Sequence, residues 1–195
     1  MTFLNSSAFL IIDMQEGFIS KSSVLCVDGA QNTIPACAKA LAHARKNNIL
    51  IYYVYREYAA DGSNVEKVRL DIWRKGGFPL SSIARQNETG AFPHELAPEK
   101  GDILLKKPRF SAFFGTNLND QLQKQGIETI ILTGTTTPNC IRSTCYDALS
   151  FDYNVVIVED CTSSRTPEVQ KSNIADMKYI GARIISLEEF CTNKM

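Results

Sequence analysis

Apolar residues recur along this chain in two alternating rhythms. Continuous runs such as Ala8-Phe9-Leu10-Ile11-Ile12 and the β-branched stretch Ile127 to Leu132 read as buried strands. Apolar residues three and four apart, as in Ile34, Cys37, Ala38, Leu41 and Ala44, read as helices. The pattern predicts strand 8–12, helix 31–47, strand 49–55, an irregular segment 56–101, strand 102–106, helix 117–125 and strand 127–132. It continues with helix 140–150, strand 153–158, helix 167–179 and strand 182–186. Thr166-Pro167-Glu168 is a helix start, and Gly126 and Gly181 are helix stops. Strands that alternate with helices imply an α/β fold: a three-layer αβα sandwich around a mainly parallel, doubly wound sheet. Neither an internal repeat nor a low-complexity tract divides residues 1–195, so they read as one domain. Segment 56–101 is too long for an idle connection. It is expected to fold over a pocket or pack on another subunit, with Trp73 and Phe78 as anchors and Arg69, Arg74 and Lys75 as a solvated face.

Composition narrows the classes. The 195 residues are 44% hydrophobic, enough for a sizeable single core. Lys plus Arg and Asp plus Glu both number 21, and no basic stripe interleaves with aromatics, so nucleic acid is not expected as a partner. No apolar run reaches membrane-spanning length, and Met1-Thr2-Phe3-Leu4-Asn5 lacks the basic-then-apolar pattern of a signal peptide. A cytoplasmic protein with reduced thiols is expected, since the six cysteines show no paired metal-ligand spacing. On that reading Asn87-Glu88-Thr89 is a chance sequon.

The chemistry concentrates where Thr133-Gly134-Thr135-Thr136-Thr137-Pro138-Asn139-Cys140 turns from strand into helix. A cysteine in the first turn of a helix is expected to have its thiol pKa lowered by the helix N-terminal charge. Two other buried strands end in Asp13 and in Lys106-Lys107-Pro108. Alone, Asp13 reads as a loop cap, the lysines as a solvated turn and Cys140 as a structural thiol. In an open parallel sheet, however, ligands bind outside the carboxyl ends of the strands, where all three converge.

These residues resemble the isochorismatase-like cysteine hydrolases. The resemblance spans nearly the whole chain and rests on three ordered motifs: Asp13-Met14-Gln15-Glu16-Gly17-Phe18, Lys107-Pro108-Arg109-Phe110-Ser111-Ala112-Phe113, and the Gly134 to Cys140 turn with Thr144 following. It implies that Asp13 is the general base, Lys107 rather than Lys106 the catalytic lysine, and Cys140 the nucleophile. It also implies an oxyanion hole from the backbone N–H groups of Thr136 and Cys140, with a cis peptide before Thr136. Phe18 corresponds to an aromatic that flanks substrate; Phe113 and Asn139, within the same motifs, are further candidate substrate contacts. Neither histidine suits the base: His43 lies in the helix 31–47 and His94 in a Pro-bounded loop.

Departures inside the family refine the expectation. Nicotinamidases carry an Asp-x-His metal site where this chain reads Tyr53-Val54-Tyr55-Arg56-Glu57-Tyr58, so no metal and no other cofactor is expected. Vinyl-ether-cleaving isochorismatases lack the nucleophilic cysteine. The leading reading is therefore a cysteine amidohydrolase acting on a small amide or ureide, with Arg56 available to grip a substrate carboxylate or to form a surface salt bridge. The resemblance also suggests a homo-oligomer, dimer or tetramer. Alternatives are a nicotinamidase-like or isochorismatase-like hydrolase of another small molecule, a catalytically silent α/β binding protein, or a redox protein using Cys140 and Cys145. Cys140 and Cys145 are five apart on a helix and face different directions.

Overall fold

Every residue of the first strand, β1 (Ser7–Ile12), is buried, as a strand covered on both faces must be. Its side chains alternate between two apolar layers: Ala8, Leu10 and Ile12 face one, Phe9 and Ile11 the other. The computed structural model describes residues 6–85 and 88–192. The readings made on Met1 to Asn5 and on Asn87 lie outside the described residues.

β1 is the centre of a six-stranded sheet with β2 (Leu50–Tyr55), β3 (Ile103–Lys106), β4 (Thr129–Thr135), β5 (Asn154–Ser163) and β6 (Arg183–Ile185), in the order β3-β2-β1-β4-β5-β6. All five pairings are parallel. The layer on one face is closed by α2 (Ala30–Lys46) and α7 (Leu187–Cys191), which contribute Cys37, Leu41 and Phe190. The layer on the other face is closed by α4 (Leu118–Lys124), α5 (Arg142–Ser150) and α6 (Pro167–Tyr179), through Leu122, Cys145 and Met177. The fold is thus the expected αβα sandwich, with a sheet that is parallel throughout. Each fully buried Leu or Ile contributes about 2 kcal/mol of transfer free energy, so these two layers dominate what holds the sheet together.

The helix signals act as read. Thr166 accepts a hydrogen bond from Val169 N at 3.3 Å, Pro167 opens α6, and Gly126 and Gly181 take the positive φ that ends a helix. Some elements differ from the expectation. β4 and β5 run on to Thr135 and Ser163, because small hydroxyl residues continue the ladder past the apolar run: Ser163 Oγ lies 3.0 Å from Thr135 Oγ1. Three short helices carried too few residues to show a period: α1 (Glu16–Ile19), α3 (Leu70–Lys75) and α7.

Segment 56–101 folds back onto the chain. Phe18, Tyr58, Val65, Trp73 and Leu80 form a third apolar cluster, flanked by Phe78. Trp73 is buried, donates Nε1–H to Pro79 O at 2.8 Å, and meets Phe78 edge-on at 5.1 Å. The cluster fastens α3 over the carboxyl edge of the sheet.

Candidate active site

The order of the strands reverses between β1 and β4, and the crevice opens at that point, beyond their carboxyl ends. Five successive strand ends supply side chains or backbone there. Asp13 follows β1, Arg56 follows β2, Lys107 follows β3, Thr136 to Cys140 follow β4, and Arg165 follows β5.

Local geometry explains how each is aimed. Asp13 takes a left-handed φ of 53°, which turns the chain sharply as β1 ends; aspartate tolerates that region better than most side chains. Gly134 allows β4 to approach β1 there. Its φ is 103°, and a Cβ would collide with the Ile12 carbonyl oxygen and stand 2.7 Å from Ile12 N. The Thr135–Thr136 peptide is cis. Residues Thr137–Ile141 then form a wide π-type turn that holds Cys140 before α5 begins. Thr144 Oγ1 donates to Cys140 O at 2.7 Å and accepts from Ala112 N at 3.0 Å, tying the Cys140 turn to the loop after β3.

Asp13, Lys107 and Cys140 are all buried and meet one another. Lys107 Nζ donates to Asp13 Oδ2 at 2.7 Å, to Arg109 O at 3.1 Å and to Cys140 Sγ at 3.5 Å. All three ammonium protons are therefore engaged. Asp13 Oδ1 has no partner among the described residues, although Asp13 lies close enough to interact with the Cys140 thiol. Burial, and then the Asp13 charge, push the Cys140 thiol up to about 11, with Lys107 and Arg56 offsetting part of the rise. The expected depression of this pKa is thus overturned: desolvation outweighs the nearby cations, and the thiol rests protonated near neutral pH.

A cavity of about 340 Å³ opens in front of the cluster. Asp13, Phe18, Arg56, Thr136, Asn139 and Cys140 line it. Phe113 does not: it packs between Phe151, at 5.3 Å, and Tyr153, at 6.1 Å, in the layer below the sheet. The aromatic that the Lys107 to Phe113 segment presents to the cavity is Phe110. Arg56 is no surface salt bridge. It is 2% exposed, paired with Glu66, and hydrogen-bonded to Tyr58 Oη at 3.0 Å. Burial disfavours its charge, but Asp13, Tyr58, Cys140 and Glu66 together raise its pKa above the ordinary value, so it remains a cation. Arg69 likewise leaves the solvated face expected of it and lines the cavity mouth with Ile72 and Arg165. Sequence reading missed Val24, Leu25, Val27 and Arg165. Arg165 lies seven residues past the strand 153–158 expected from the sequence, and only the longer β5 brings it to the crevice.

His43 packs edge-on to Phe190 at 5.0 Å, and His94 sits in a short turn; neither lines the cavity. Among the described residues no group of three His, Cys, Asp or Glu side chains is placed to hold a metal ion. All six cysteines are free, and Cys145 is buried in the apolar layer under α5.

A family model described as the isochorismatase domain matches residues 7–189. The chain belongs to the isochorismatase family. Within it, the chain is 36% identical to an Arabidopsis thaliana protein described as a probable inactive nicotinamidase, over 95% of this chain and 94% of that one. It is 30% identical to a ureidoacrylate amidohydrolase of Enterobacter sp. (strain 638), over 95% of this chain and 87% of that one. The crystal structure of an isochorismatase family protein from Desulfovibrio vulgaris superposes with a TM-score of 0.88 at 40% identity, covering 94% of this chain and 95% of the other. Like its family, this protein is a hydrolase.

Proposed function

We propose that this isochorismatase-family hydrolase cleaves the C–N bond of a small amide or ureide through a thioester on Cys140, without a metal. The observation that carries the reading is the buried contact of Asp13, Lys107 and Cys140 at the mouth-facing ends of three strands.

The chemistry follows from which atoms are free. Asp13 Oδ2 is held by Lys107, and Oδ1 is left to accept the Cys140 proton. As sulfur attacks the carbonyl carbon, that proton moves to Oδ1, and the Lys107 ammonium stabilises the developing thiolate. The carbonyl oxygen becomes an oxyanion facing the backbone N–H groups of Thr136 and Cys140. The C–N bond then breaks, and Asp13 returns its proton to the departing amine. Water, deprotonated by Asp13, attacks the thioester; the acid or carbamate leaves and Cys140 recovers its proton.

Phe18, Arg56, Phe110 and Asn139 line the space for substrate. The ureidoacrylate relative supports a ureide or N-carbamoyl compound, in which nitrogen flanks the carbonyl. The metal-independent reading rests on the donor set: the stretch Tyr53 to Tyr58 brings a guanidinium, not an imidazole, to the cavity wall. A cytosolic dimer or tetramer belongs to the same proposal, supported by six free thiols and by Val68 and Ile72 standing exposed on the segment over the site. No helix among the described residues is long and apolar enough to cross a membrane.

A second reading, a silent binding protein, is favoured by the description of the Arabidopsis relative as inactive. Ammonia release across ureides, carbamoyl amino acids and carboxamides separates the two. The parent protein is expected to turn over at least one of these after thorough chelation. Cys140→Ala and Asp13→Asn are each expected to lose at least about 10³-fold in kcat while remaining folded. Full activity of Cys140→Ala would remove the covalent mechanism, and activity lost on chelation and restored by a divalent ion would remove the metal-free one.

A further inference from the structure

The first motif of the chain holds a buried polar side chain to which the hydrolytic scheme gives no part. Gln15, two residues past Asp13, is 1% exposed and does not line the cavity. Its hydrogen bonds go to backbone. Oε1 accepts from Arg56 N at 2.8 Å, and Nε2 donates to Arg56 O at 2.9 Å and to Gly90 O at 3.0 Å. The oxygen and both N–H groups are thus met, as burial of an amide requires.

These partners show what the side chain replaces. β1 and β2 pair as far as Ile12 and Val54, and Asp13 N still donates to Val54 O at 2.8 Å. In a continued parallel ladder the Asp13 carbonyl would next receive the Arg56 N–H. The left-handed φ of Asp13 turns the chain out of the ladder there, and the Gln15 amide takes up both the Arg56 N–H and its carbonyl. A side chain does the work of a strand peptide, so the end of β2 stays paired while Asp13 is free to aim its carboxylate at Lys107.

The same strand end carries the other partner, since Lys107 N donates to Tyr55 O at 3.0 Å. Asp13 and Lys107 therefore hang from neighbouring residues of β2, one through Gln15 and one through its own backbone. The second bond of Gln15 Nε2 fastens Gly90, whose neighbours Thr89 and Ala91 accept from Gly17 N and Glu16 N, both at 2.8 Å.

We propose that Gln15 is a positioning residue for hydrolysis, its amide standing in for a strand peptide and holding the Asp13 turn in register with Lys107. The inference rests on the hydrolase reading for its effect on turnover but not for the placement of Asp13. A reacting group misplaced by about 1 Å can cost about 100-fold in rate.

The test sets Gln15→Met, which keeps the length and loses the amide, beside Thr89→Val. Thr89 Oγ1 accepts from Leu80 N at 2.8 Å, so its removal loosens the same segment without taking a bond from Asp13 or Gln15. Measured on the folded fraction, Gln15→Met is expected to lose about 30- to 100-fold in kcat with KM within about twofold, and Thr89→Val to keep kcat within about threefold. Gln15→Glu keeps the shape, but its ionised form turns an oxygen toward two carbonyls, and only its protonated form restores a donor. Its kcat relative to the parent should climb several-fold from about pH 8 to about pH 5.5 as the buried carboxyl takes up its proton. Iodoacetamide reads the turn without a substrate. Because the Asp13 charge holds the Cys140 thiol up, a displaced Asp13 should speed Cys140 alkylation at about pH 8 at least about threefold in Gln15→Met, and not in Thr89→Val. Where Gln15→Met does not fold, the same two readings on Gln15→Glu at about pH 8 decide. A kcat or an alkylation rate no different from that of Thr89→Val, or a flat Gln15→Glu ratio, overturns the proposal. Faster alkylation in a protein whose parent turns over no amide would leave it standing and sink the hydrolase reading instead.

Discussion

Lys107 satisfies a carboxylate, a carbonyl and a thiol at once, so its removal strands a buried charge on Asp13 and leaves Cys140 with less cationic support. The Cys140 thiol, pushed up to about 11, gives a pH signature. Below that value the thiolate fraction grows tenfold per pH unit, so alkylation of Cys140 by iodoacetamide should accelerate steadily from about pH 7 to 10 without levelling. Lys107→Met should slow it further at each pH, because Lys107 is one of the two cations that favour the thiolate. A plateau reached below pH 8, followed by peptide mapping of Cys140, would show an ion-paired thiolate and contradict this account. Asp13, Lys107 and Cys140 were legible in the sequence because each ends or follows an apolar run that had to be a strand. The pKa of Cys140 was not legible, because its sign depends on how much water the finished fold excludes. Phe110 and Phe113 were confused for a related reason: two aromatics in one irregular loop have no periodicity to say which faces inward.

The approach of β4 to β1 at Gly134 is a single contact on which both Asp13 and the Cys140 turn depend. Gly134→Ala must place a methyl group against the Ile12 carbonyl and hold alanine at a φ of 103°. Strain and overpacking together predict a loss of at least about 3 kcal/mol in unfolding free energy. Activity should fall more than stability alone explains, since Asp13 is the next residue after Ile12. Urea unfolding and residual kcat on the folded fraction check both parts; an alanine variant of parental stability would show that the strands have room to part. The six strands were readable from their apolar runs and the four longer helices, of seven to seventeen residues, from their period, since a pattern of that length averages out local exceptions. Helices of four to six residues, such as Glu16–Ile19 and Leu70–Lys75, give no such average and are set by the tertiary contacts of Phe18 and Trp73.

Burial has placed several weak acids where ionisation is costly. Desolvation raises Cys140 to about 11, Cys145 and Tyr58 each to about 12, and lifts Tyr53 higher still. Because the folded-state pKa values lie above those of the unfolded chain, the stability tied to these neutral groups is complete below about pH 9. It is lost as pH climbs through 11 and 12. Cys140 alone accounts for on the order of 2–3 kcal/mol of that loss. Urea midpoints should therefore hold level up to about pH 9 and then drop steeply, with Cys140→Ala dropping less. A midpoint unchanged to pH 11 would mean that these groups are better hydrated than the fold shows. The layer arrangement that buries them was readable from alternation of strands and helices; the path of segment 56–101 was not, because no repeat governs it.

That segment carries the chain's one tryptophan. Trp73 meets Tyr58 at 6.1 Å, and Tyr58 holds the Arg56–Glu66 pair beside the cavity. The protein thus comes with its own fluorophore, one ring away from the cation in the cavity wall. Rapid mixing with a ligand can be followed by emission alone, on unlabelled protein, and every change in that signal comes from the roof over the site.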